Sequence, residues 1–315
     1  MSTANPTAYI PTLEGGDRLA ACLEAVGSQT VDVGIVVADN GPFAGCSELL
    51  AARFPHVERI SFEGRNLGFG AALNRAVADR GEGPLIFLND DAVPAPDFVE
   101  KLLDARNESG AAMVAGVLLK ASNPRLIDSA GIRCDRTLTA WDFLTGEPVE
   151  RLKDAPDPLG PTGGGALFDR HAFEEVGGFD ERIFLYYEDL DLALRMRLAG
   201  HACRLAVDAR AIHESSATLG RRAAAKYRQT GFSRGYLLRK YGIMNHPALA
   251  LTVLVSDGSA GLAQALADRT GAGIVGKLEG WRAGRYAPRF TAPADQLEQA
   301  HIVRHFKARL ARRRY

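Results

Sequence analysis

The chain has 315 residues, of which 46% are hydrophobic and 24% are charged. This composition is typical of a globular protein and excludes a disordered or fibrous one, and the length is sufficient for one large domain with a smaller appendage. The 38 basic residues balance the 38 acidic residues. No net charge therefore attracts the protein to nucleic acid, and we expect no nucleic-acid partner.

The four cysteines are scattered and form no CxxC pair. They indicate neither a disulfide framework nor structural zinc, which fits a reducing cytoplasm. The N-terminus lacks the pattern of a signal peptide, and the longest apolar run, residues 248–255, is far shorter than the ~20 residues of a membrane-spanning helix. We therefore expect a cytoplasmic protein without a membrane span.

Strand-like and helix-like segments alternate along the first 120 residues. Strand-like runs begin at Ala8, Val33, Val57 and Pro84, and a helix-like run follows each of them. This alternation predicts an α/β fold with a mainly parallel sheet flanked by helices. From about residue 111 the pattern loosens into a strand-like run, an irregular polar stretch and a glycine-rich strand start at residues 162–170.

A helical block over residues 218–241 precedes a boundary that we place near residue 245. We predict one domain of residues 1–245 and a helical, basic C-terminal extension of residues 246–315. Seven Lys or Arg residues lie between positions 221 and 245, and six more lie in 301–315, with no acid in either stretch. These charges favour anionic partners, although solvated helix faces would look the same.

Two adjacent acids, Glu188 and Asp189, begin an amphipathic helical pattern whose apolar face includes Leu190, Leu194 and Leu198. Carboxylates are favoured at a helix N-terminus. We expect a carboxylate in that position to stay ionised and to be able to act as a base.

A second acidic pair follows the buried-type strand of residues 85–88, which ends in Asn89, Asp90 and Asp91. Ligands of open α/β sheets bind outside the carboxyl ends of strands. Two carboxylates without a basic neighbour favour a hard divalent cation, and a solvated Asp-rich turn is the alternative.

Four blocks in this order resemble the family 2 glycosyltransferases of the GT-A fold, over roughly residues 7–240. They are VVADNGP with Asp39, EGRNLGFGAALNRA with Arg65, Asn66, Gly68 and Asn74, then LNDDA, and finally GGFDE with YYEDLDLALR. The resemblance implies a GT-A (Rossmann-like) fold, a nucleotide-diphospho-sugar donor and transfer with inversion. Residues about 1–120 would form the donor half and residues about 121–245 the acceptor half.

The resemblance assigns roles to the two acidic pairs. Asp91 matches the metal-binding position for Mn²⁺ or Mg²⁺, Asp90 lies nearer the ribose or sugar, and Asn89 replaces the more usual first acid. Asp189 matches the catalytic base, with Glu188 as the reserve candidate. His213 matches a histidine that completes the metal site in related enzymes, and a core histidine is the alternative.

Other positions match nucleotide-sugar contacts. Asp39 can accept a hydrogen bond from the imide N–H of uracil or thymine, which favours UDP or dTDP donors, and an Asx turn is the alternative. Pro11, Thr12 and Glu14 occupy the first nucleotide-contact strand end without the usual Tyr-Asn pattern. Arg65 and Asn66, before a glycine-rich helix entry, suit a phosphate or the donor sugar.

Acceptor or diphosphate contacts are expected from a third set of residues. The glycines allow close backbone approach or a bulge, Tyr187 can stack on a sugar or belong to the core, and the two arginines can close over the diphosphate or lie at a solvated helix start. The set comprises Gly163, Gly164, Gly165, Tyr187, Arg221 and Arg222.

Within the family, these blocks look most like bacterial rhamnosyltransferases of cell-envelope assembly, which implies a dTDP-L-rhamnose donor and a glycan or lipid-linked glycan acceptor. UDP-dependent transfer of glucose, galactose or N-acetylglucosamine is the alternative, and a non-catalytic nucleotide- or glycan-binding module is the alternative from another class. The basic C-terminal extension predicts peripheral attachment to an anionic membrane surface at the inner face of the cell membrane.

Overall fold

The computed structural model describes residues 4–78, 80–214 and 223–299. Its strands are β1 (Thr7–Thr12), β2 (Gly34–Asp39), β3 (Glu58–Ser61), β4 (Leu85–Leu88), β5 (Ala92–Pro94), β6 (Met113–Lys120), β7 (Asn123–Ser129), β8 (Ile132–Cys134), β9 (Ala140–Asp142), β10 (Gly165–Phe168) and β11 (Cys203–His213). Its α-helices are α1 (Gly16–Gly27), α2 (Gly45–Arg53), α3 (Phe69–Val77), α4 (Phe98–Ser109), α5 (Arg170–Glu175), α6 (Glu188–Leu198), α7 (Ala223–Lys240), α8 (Pro247–Ala267) and α9 (Ala272–Ala283).

A nine-stranded sheet with the spatial order β3-β2-β1-β4-β10-β6-β11-β5 lies at the centre, and β7 pairs with β6. The pairs among β1, β2, β3 and β4 are parallel, as the alternation predicts. The sheet is mixed beyond them, because β10 begins beside the last residue of β4 and runs antiparallel to both β4 and β6. Since β11 is parallel to β6, the carboxyl ends of β1, β2, β4, β6 and β11 share one edge.

Alternation along the strands places apolar side chains on both faces of the sheet. Tyr9 and Phe87 lie in the cluster on one face, whereas Ile10 and Ile86 lie in the cluster on the other. Phe87 makes ring contacts with Phe168, Phe173 and Phe179. Both faces are therefore buried, as in a layered α/β fold.

The helices α7 and α9 pack backbone against backbone. A Cβ atom on Gly280 would lie 1.8 Å from the carbonyl oxygen of Phe232, and one on Gly235 would lie 2.0 Å from that of Lys277. A third apolar cluster joins these helices to α6 and includes Leu190, Leu194, Tyr236 and Tyr241. The described contacts therefore cross the boundary that the sequence predicts near residue 245.

The helix α8 is longer than the apolar run in the sequence suggests. It has 21 residues and contains an 18-residue stretch with a mean hydropathy of 1.4, and in the described parts of the chain it alone has the length and composition to cross a membrane. Its Asp257 is nevertheless buried, with its Oδ2 2.8 Å from Lys277 Nζ and 3.3 Å from Arg234 Nε. These ion pairs hold α8 against α7 and α9.

Candidate functional site

The shared carboxyl edge of the sheet brings Asp91 and His213 together. Antiparallel pairing of β5 with β11 sets Ala92 opposite His213, so Asp91 comes next to the imidazole. Asp91 Oδ1 lies 3.1 Å from His213 Nε2, and the Asn89 amide nitrogen lies 3.2 Å from the same ring nitrogen.

Asp128, at the end of β7, holds the other side of the His213 ring. Its Oδ2 lies 2.7 Å from His213 Nδ1, and its Oδ1 lies 3.9 Å from Lys120 Nζ. Burial alone would lower the pKa of His213, but the carboxylates of Asp128 and Asp91 raise it to about 9. Asp128 was not predicted as a site residue, because no local pattern indicates that β7 folds back along β6 and so brings Asp128 within reach of His213 on β11.

The donor set suits a divalent cation. At neutral pH the raised pKa leaves a proton on Nε2, which a cation bound there would displace, while Nδ1–H keeps donating to Asp128, as metal-binding histidines are held in other proteins. Within the described residues no group of three His, Cys, Asp or Glu side chains forms a complete cage. Two protein ligands with the remaining positions left to water and phosphate oxygens are typical of Mg²⁺ and Mn²⁺ sites that bind phosphorylated substrates.

Asp90 links the ends of β4 and β1. The hydroxyl of Thr12 donates to Asp90 Oδ2 at 2.6 Å, and the Gly15 N–H donates to the same hydroxyl at 3.1 Å. Burial raises the pKa of Asp90 to about 6; the Thr12 hydrogen bond opposes this shift and the charge of Asp91 adds to it. Pro11 lies on β1 just before Thr12, and Glu14 is exposed just after it.

Asp39 lies at the end of β2, and one of its two carboxylate oxygens has a hydrogen-bond partner. Arg59 Nε donates to its Oδ2 at 3.0 Å. Its Oδ1 is buried and has no hydrogen-bond partner among the described residues. A buried acceptor without a donor is costly, so this atom suits a ligand N–H group such as the imide of a pyrimidine.

Asn40 organises the loop that follows β3. Its amide oxygen accepts from the Leu67 N–H at 2.7 Å, and its amide nitrogen donates to the Gly68 carbonyl at 3.1 Å. Asn66 belongs to the same network, since its Oδ1 accepts from the Gly68 N–H at 2.9 Å. Arg65 extends from this loop and is largely exposed. Asn40 was not predicted as a site residue, although the ADNGP block contains it.

Asn74 lies on α3, where its amide clamps the turn before α6. It donates to the Phe179 carbonyl and accepts from the Phe179 N–H, each at 2.9 Å. Both hydrogen bonds join the loop of residues 177–184 to α3. A nucleotide-sugar contact by Asn74 stays a prediction.

The three glycines at the start of β10 lie between the two acidic pairs. A Cβ atom on Gly164 would lie 2.7 Å from the Asn89 amide nitrogen, and one on Gly165 would lie 2.9 Å from Leu118 Cδ2. The N–H of Gly163 is directed at the carboxylate of Asp189. These residues therefore connect the metal-binding edge to the base.

Glu188 and Asp189 lie in the first turn of α6 with different exposure. Glu188 is buried, and its Oε2 has no hydrogen-bond partner among the described residues. Asp189 is half-buried, and its Oδ1 accepts from the Leu190 N–H at 2.8 Å. Asp189 is the carboxylate that a substrate can reach.

Burial raises the pKa of both acids, and the negative charge of Asp189 raises that of Glu188 further. The charge of Asp142, on β9, adds to the shift of Asp189. Desolvation outweighs the helix dipole at this pair, so Glu188 does not stay ionised at neutral pH as the helix N-terminus predicts, whereas Asp189, with a pKa of about 6, does. Asp142 was also not predicted, since it lies 47 residues before Asp189 in the sequence.

The backbone before the pair is strained. Tyr186 and Tyr187 have φ angles of 67° and 69°, in the left-handed region that L-residues rarely adopt. Such strain concentrates at functional sites, and here it turns the chain so that α6 starts at the acids. Tyr187 also packs against the cluster beneath α7.

The cations of α7 are mostly engaged within the protein, in contrast to the anion-binding surface that the sequence favours. Arg234 and Lys240 are buried, Lys240 pairs with Asp180 and Asp191 at 2.8 and 2.7 Å, and Arg228 pairs with Glu279. Arg221 and Arg222 lie outside the described residues.

Comparisons with known proteins identify the family of the chain. Residues 7–177 match the family described as glycosyl transferase family 2. An N-acetylglucosaminyl-diphospho-decaprenol L-rhamnosyltransferase of Mycobacterium tuberculosis is 32% identical over 216 residues, which cover 61% of this chain and 70% of the relative. The uncharacterized glycosyltransferase YfnE of Bacillus subtilis is 25% identical over 251 residues, which cover 65% of this chain and 63% of YfnE.

Solved structures share the fold at low sequence identity. A structure of GalNAc-T7 with UDP, GalNAc and Mn²⁺ superposes with a TM-score of 0.59 at 14% identity, covering 91% of this chain but only 55% of GalNAc-T7. The mannosyltransferase PcManGT from Pyrobaculum calidifontis, in complex with GDP-Man and Mn²⁺, gives 0.53 at 15% identity, with 90% and 88% covered. This chain is a GT-A glycosyltransferase and belongs to glycosyltransferase family 2.

Proposed function

We propose that this glycosyltransferase moves L-rhamnose from dTDP-L-rhamnose to a hydroxyl of a lipid-linked glycan of the bacterial cell envelope, with inversion at the anomeric carbon. The observation that carries the proposal is the Asp91–His213 pair at one edge of the sheet, to which Gly163 and Gly164 connect Asp189. The name of the mycobacterial relative supports the sugar and the lipid-linked acceptor.

The nucleotide would lie along the ends of β1 and β2. The free Oδ1 of Asp39 accepts the imide N–H of thymine or uracil, while Arg59 holds the other oxygen. Asp90, positioned by Thr12, faces the ribose or the sugar. Cytosine has a hydrogen-bond acceptor in place of the imide N–H, and the carboxylate of Asp39 would repel this acceptor.

Asp91 and His213 would hold Mn²⁺ or Mg²⁺, with Asp128 orienting the imidazole. A bound divalent cation supplies Lewis-acid stabilisation for the negative charge that develops on the departing diphosphate. The structures with Mn²⁺ support a divalent cation in this fold.

Asp189 would take the proton of the acceptor hydroxyl as that hydroxyl attacks the anomeric carbon from the face opposite the diphosphate. Its raised pKa suits this role, because a base with a pKa nearer to neutral accepts a proton more readily than an ordinary aspartate. Buried Glu188 stays protonated at neutral pH beside it, which leaves the negative charge on Asp189. The lipid-linked acceptor places the reaction at the inner face of the membrane.

A thermal-shift and transfer experiment tests the proposal. We expect dTDP-rhamnose to raise the melting temperature of the protein only with Mn²⁺ or Mg²⁺ present. We also expect the enzyme to transfer rhamnose from this donor to a lipid-diphospho-N-acetylglucosamine analogue. His213→Ala should abolish the metal-dependent shift. His201→Ala, which removes a histidine paired with Glu175 away from this edge, is the matched control and should retain it.

Two results would contradict the proposal. A larger shift and faster transfer with a UDP-sugar would reassign the donor. Equal shifts in chelator and in Mn²⁺ would remove the metal from the site.

A further inference from the structure

The helix α8 has two faces of opposite character. Five large apolar side chains on it are exposed at helical spacing, and Leu266 among them is 75% exposed. The opposite face is packed inside the protein through Val253, Ser256 and Asp257. A water-facing row without a polar side chain is unusual for a soluble helix. The exposed row consists of Leu251, Leu254, Val255, Leu262 and Leu266.

The exposed row carries no charge at all. Asp257 is the one charged residue in the sequence of α8, and it is buried against Arg234 and Lys277. Because this carboxylate is anchored on the helices beneath, α8 lies along the protein surface with its apolar row outward. That geometry is typical of a helix lying in the plane of a membrane interface.

The helix α9 continues the apolar surface. Ile274, Val275 and Leu278 are exposed by about half. A Cβ atom on Gly261 of α8 would lie 3.0 Å from Ile274, so the two rows adjoin beside Leu262. We call these eight side chains of α8 and α9 the apolar face.

The turn between α8 and α9 lies at the end of α7 that contacts Tyr186. Tyr227 donates its hydroxyl to Asp268 Oδ2 at 2.9 Å in this turn. The neighbouring Lys226 Nζ lies 5.7 Å from the ring centre of Tyr186, which precedes Glu188 by two positions. Contact made by this end of the apolar face would therefore hold the acceptor side of the site close to the contacted surface.

Exposed cations and an aromatic side chain flank the apolar face. Arg269, Arg282 and Arg285 are exposed, and Tyr286, which is 68% exposed, lies against Arg285. The nearby acids are engaged, since Glu279 pairs with Arg228. Cations and tyrosine at the border of an apolar helix surface match the anionic headgroup layer of a bilayer.

We propose that the apolar face inserts into the headgroup and upper acyl region of an anionic lipid bilayer and so positions the active site over a membrane-embedded acceptor. The second part rests on the proposed function, because it requires a lipid-linked acceptor. A second copy of the chain fits the same surface less well. Symmetric pairing through the face would bring the flanking arginines of both copies together, and like charges oppose association.

Vesicle sedimentation tests the insertion. Wild-type protein should bind vesicles of phosphatidylcholine with roughly one third phosphatidylglycerol, and binding should persist at about 0.5 M salt, where electrostatic attraction is screened. Combined Leu254→Glu, Leu262→Glu and Leu266→Glu should weaken binding by at least about tenfold. Leu198→Glu, a charge at an exposed leucine of α6, is the matched control and should bind like wild type.

A label reports whether the face enters lipid. The native cysteines Cys22, Cys46, Cys134 and Cys203 are buried, so Leu262→Cys can be modified selectively with an environment-sensitive fluorophore. Its emission should shift to the blue on addition of the vesicles. Unchanged emission, or equal vesicle binding by the triple variant, would overturn the proposal. A wild-type dimer that the triple variant converts to monomer, with vesicle binding unaltered, would assign the face to a second copy instead.

Two readouts separate this inference from the proposed function. The metal-dependent shift with dTDP-rhamnose should be the same in wild type and triple variant, whereas transfer to an acceptor in vesicles should fall and transfer to a short-chain, water-soluble acceptor should not. If wild-type protein transfers rhamnose but does not bind vesicles, the inference alone is refuted. Vesicle binding without any transfer by wild type would refute the function alone.

Discussion

Glu188 and Asp189 are neighbours in sequence, but their surroundings assign them different chemistry. Asp189 reaches the site and is held by the N–H groups of Leu190 and Gly163. Glu188 points into the protein, where its Oε2 has no hydrogen-bond partner among the described residues. Two carboxylates whose environments separate their pKa values commonly divide a catalytic task.

Replacement of each acid by its amide should distinguish the base. We expect Asp189→Asn to lower kcat by about 10²- to 10⁴-fold, because general-base catalysis contributes that much, with donor affinity nearly intact. Glu188→Gln should lose far less, because the side chain it replaces is protonated at neutral pH. Steady-state kinetics with the natural donor measure both variants, and a reversed order would identify Glu188 as the base.

The raised pKa of Asp189 also predicts a pH dependence of stability. A carboxyl whose pKa is higher in the folded than in the unfolded protein stabilises the fold at low pH, and that contribution is lost as the pH rises through the folded pKa. The stability of Asp189→Asn relative to that of wild type should therefore increase as the pH rises from about 4 to about 8. Melting curves at the two pH values measure the difference. A constant difference, or a loss towards about pH 8, would show that the folded protein does not raise this pKa.

At the scale of elements, buried polar contacts fix α7 against α6. Lys240 lies between Asp180 and Asp191, and Tyr241 donates to Asp191 Oδ1 at 3.1 Å. Breaking a buried pair costs more than an exposed one contributes, because it leaves a desolvated charge. The basic residues of α7 thus stabilise its packing against α6. The close contact of its glycines with α9 adds shape complementarity.

A pair of glycine substitutions tests that close contact. Gly280→Ala should destabilise the protein by about 1–3 kcal/mol, because the new methyl group overlaps the Phe232 carbonyl and forces the helices apart. Gly258→Ala, on the open side of α8 where a Cβ meets nothing within 4 Å, should stabilise by about 0.5–1 kcal/mol through helix propensity. Urea titration of both variants measures the changes, and equal effects would exclude the steric explanation.

At the scale of the whole molecule, the C-terminal helices share a core with the catalytic domain. Tyr236 and Tyr241 lie in one cluster with Leu190 of α6 and Ile132 of β8. Farther along, the Glu298 N–H donates to the Cys134 carbonyl at 3.0 Å, which ties the chain back to β8. A domain boundary near residue 245 stays a prediction.

Truncation after residue 245 should weaken the remaining protein. It removes Asp257, the partner of buried Arg234, and uncovers the apolar cluster beneath α7, so we expect a lower melting temperature and increased aggregation. The intact chain should unfold in one calorimetric transition. Two separate transitions, with the upper one unchanged on truncation, would support an independent domain.

Much of the candidate site was predictable from local sequence. Asp39, Asp91 and His213 each lie at or just past a strand end, and strand ends meet at a common edge when the strands run in the same direction. The acid pair was predictable because an apolar periodicity starts directly after it. Asp128, Asn40 and Asp142 were not, since their importance comes from neighbours 26 or more residues away.

The β–α alternation of the first half follows from hydrophobic periodicity, and the resemblance of four motifs implies the family and the roles of Asp91, Asp189 and His213, because periodicity and motifs are local properties of the chain. Only the tertiary structure decided the reversal at β10, the imidazole contact of Asp128, the raised pKa values of the acid pair and the outward face of α8. Each of these depends on which distant residues exclude water from a group or pair with it, and no local pattern contains that information.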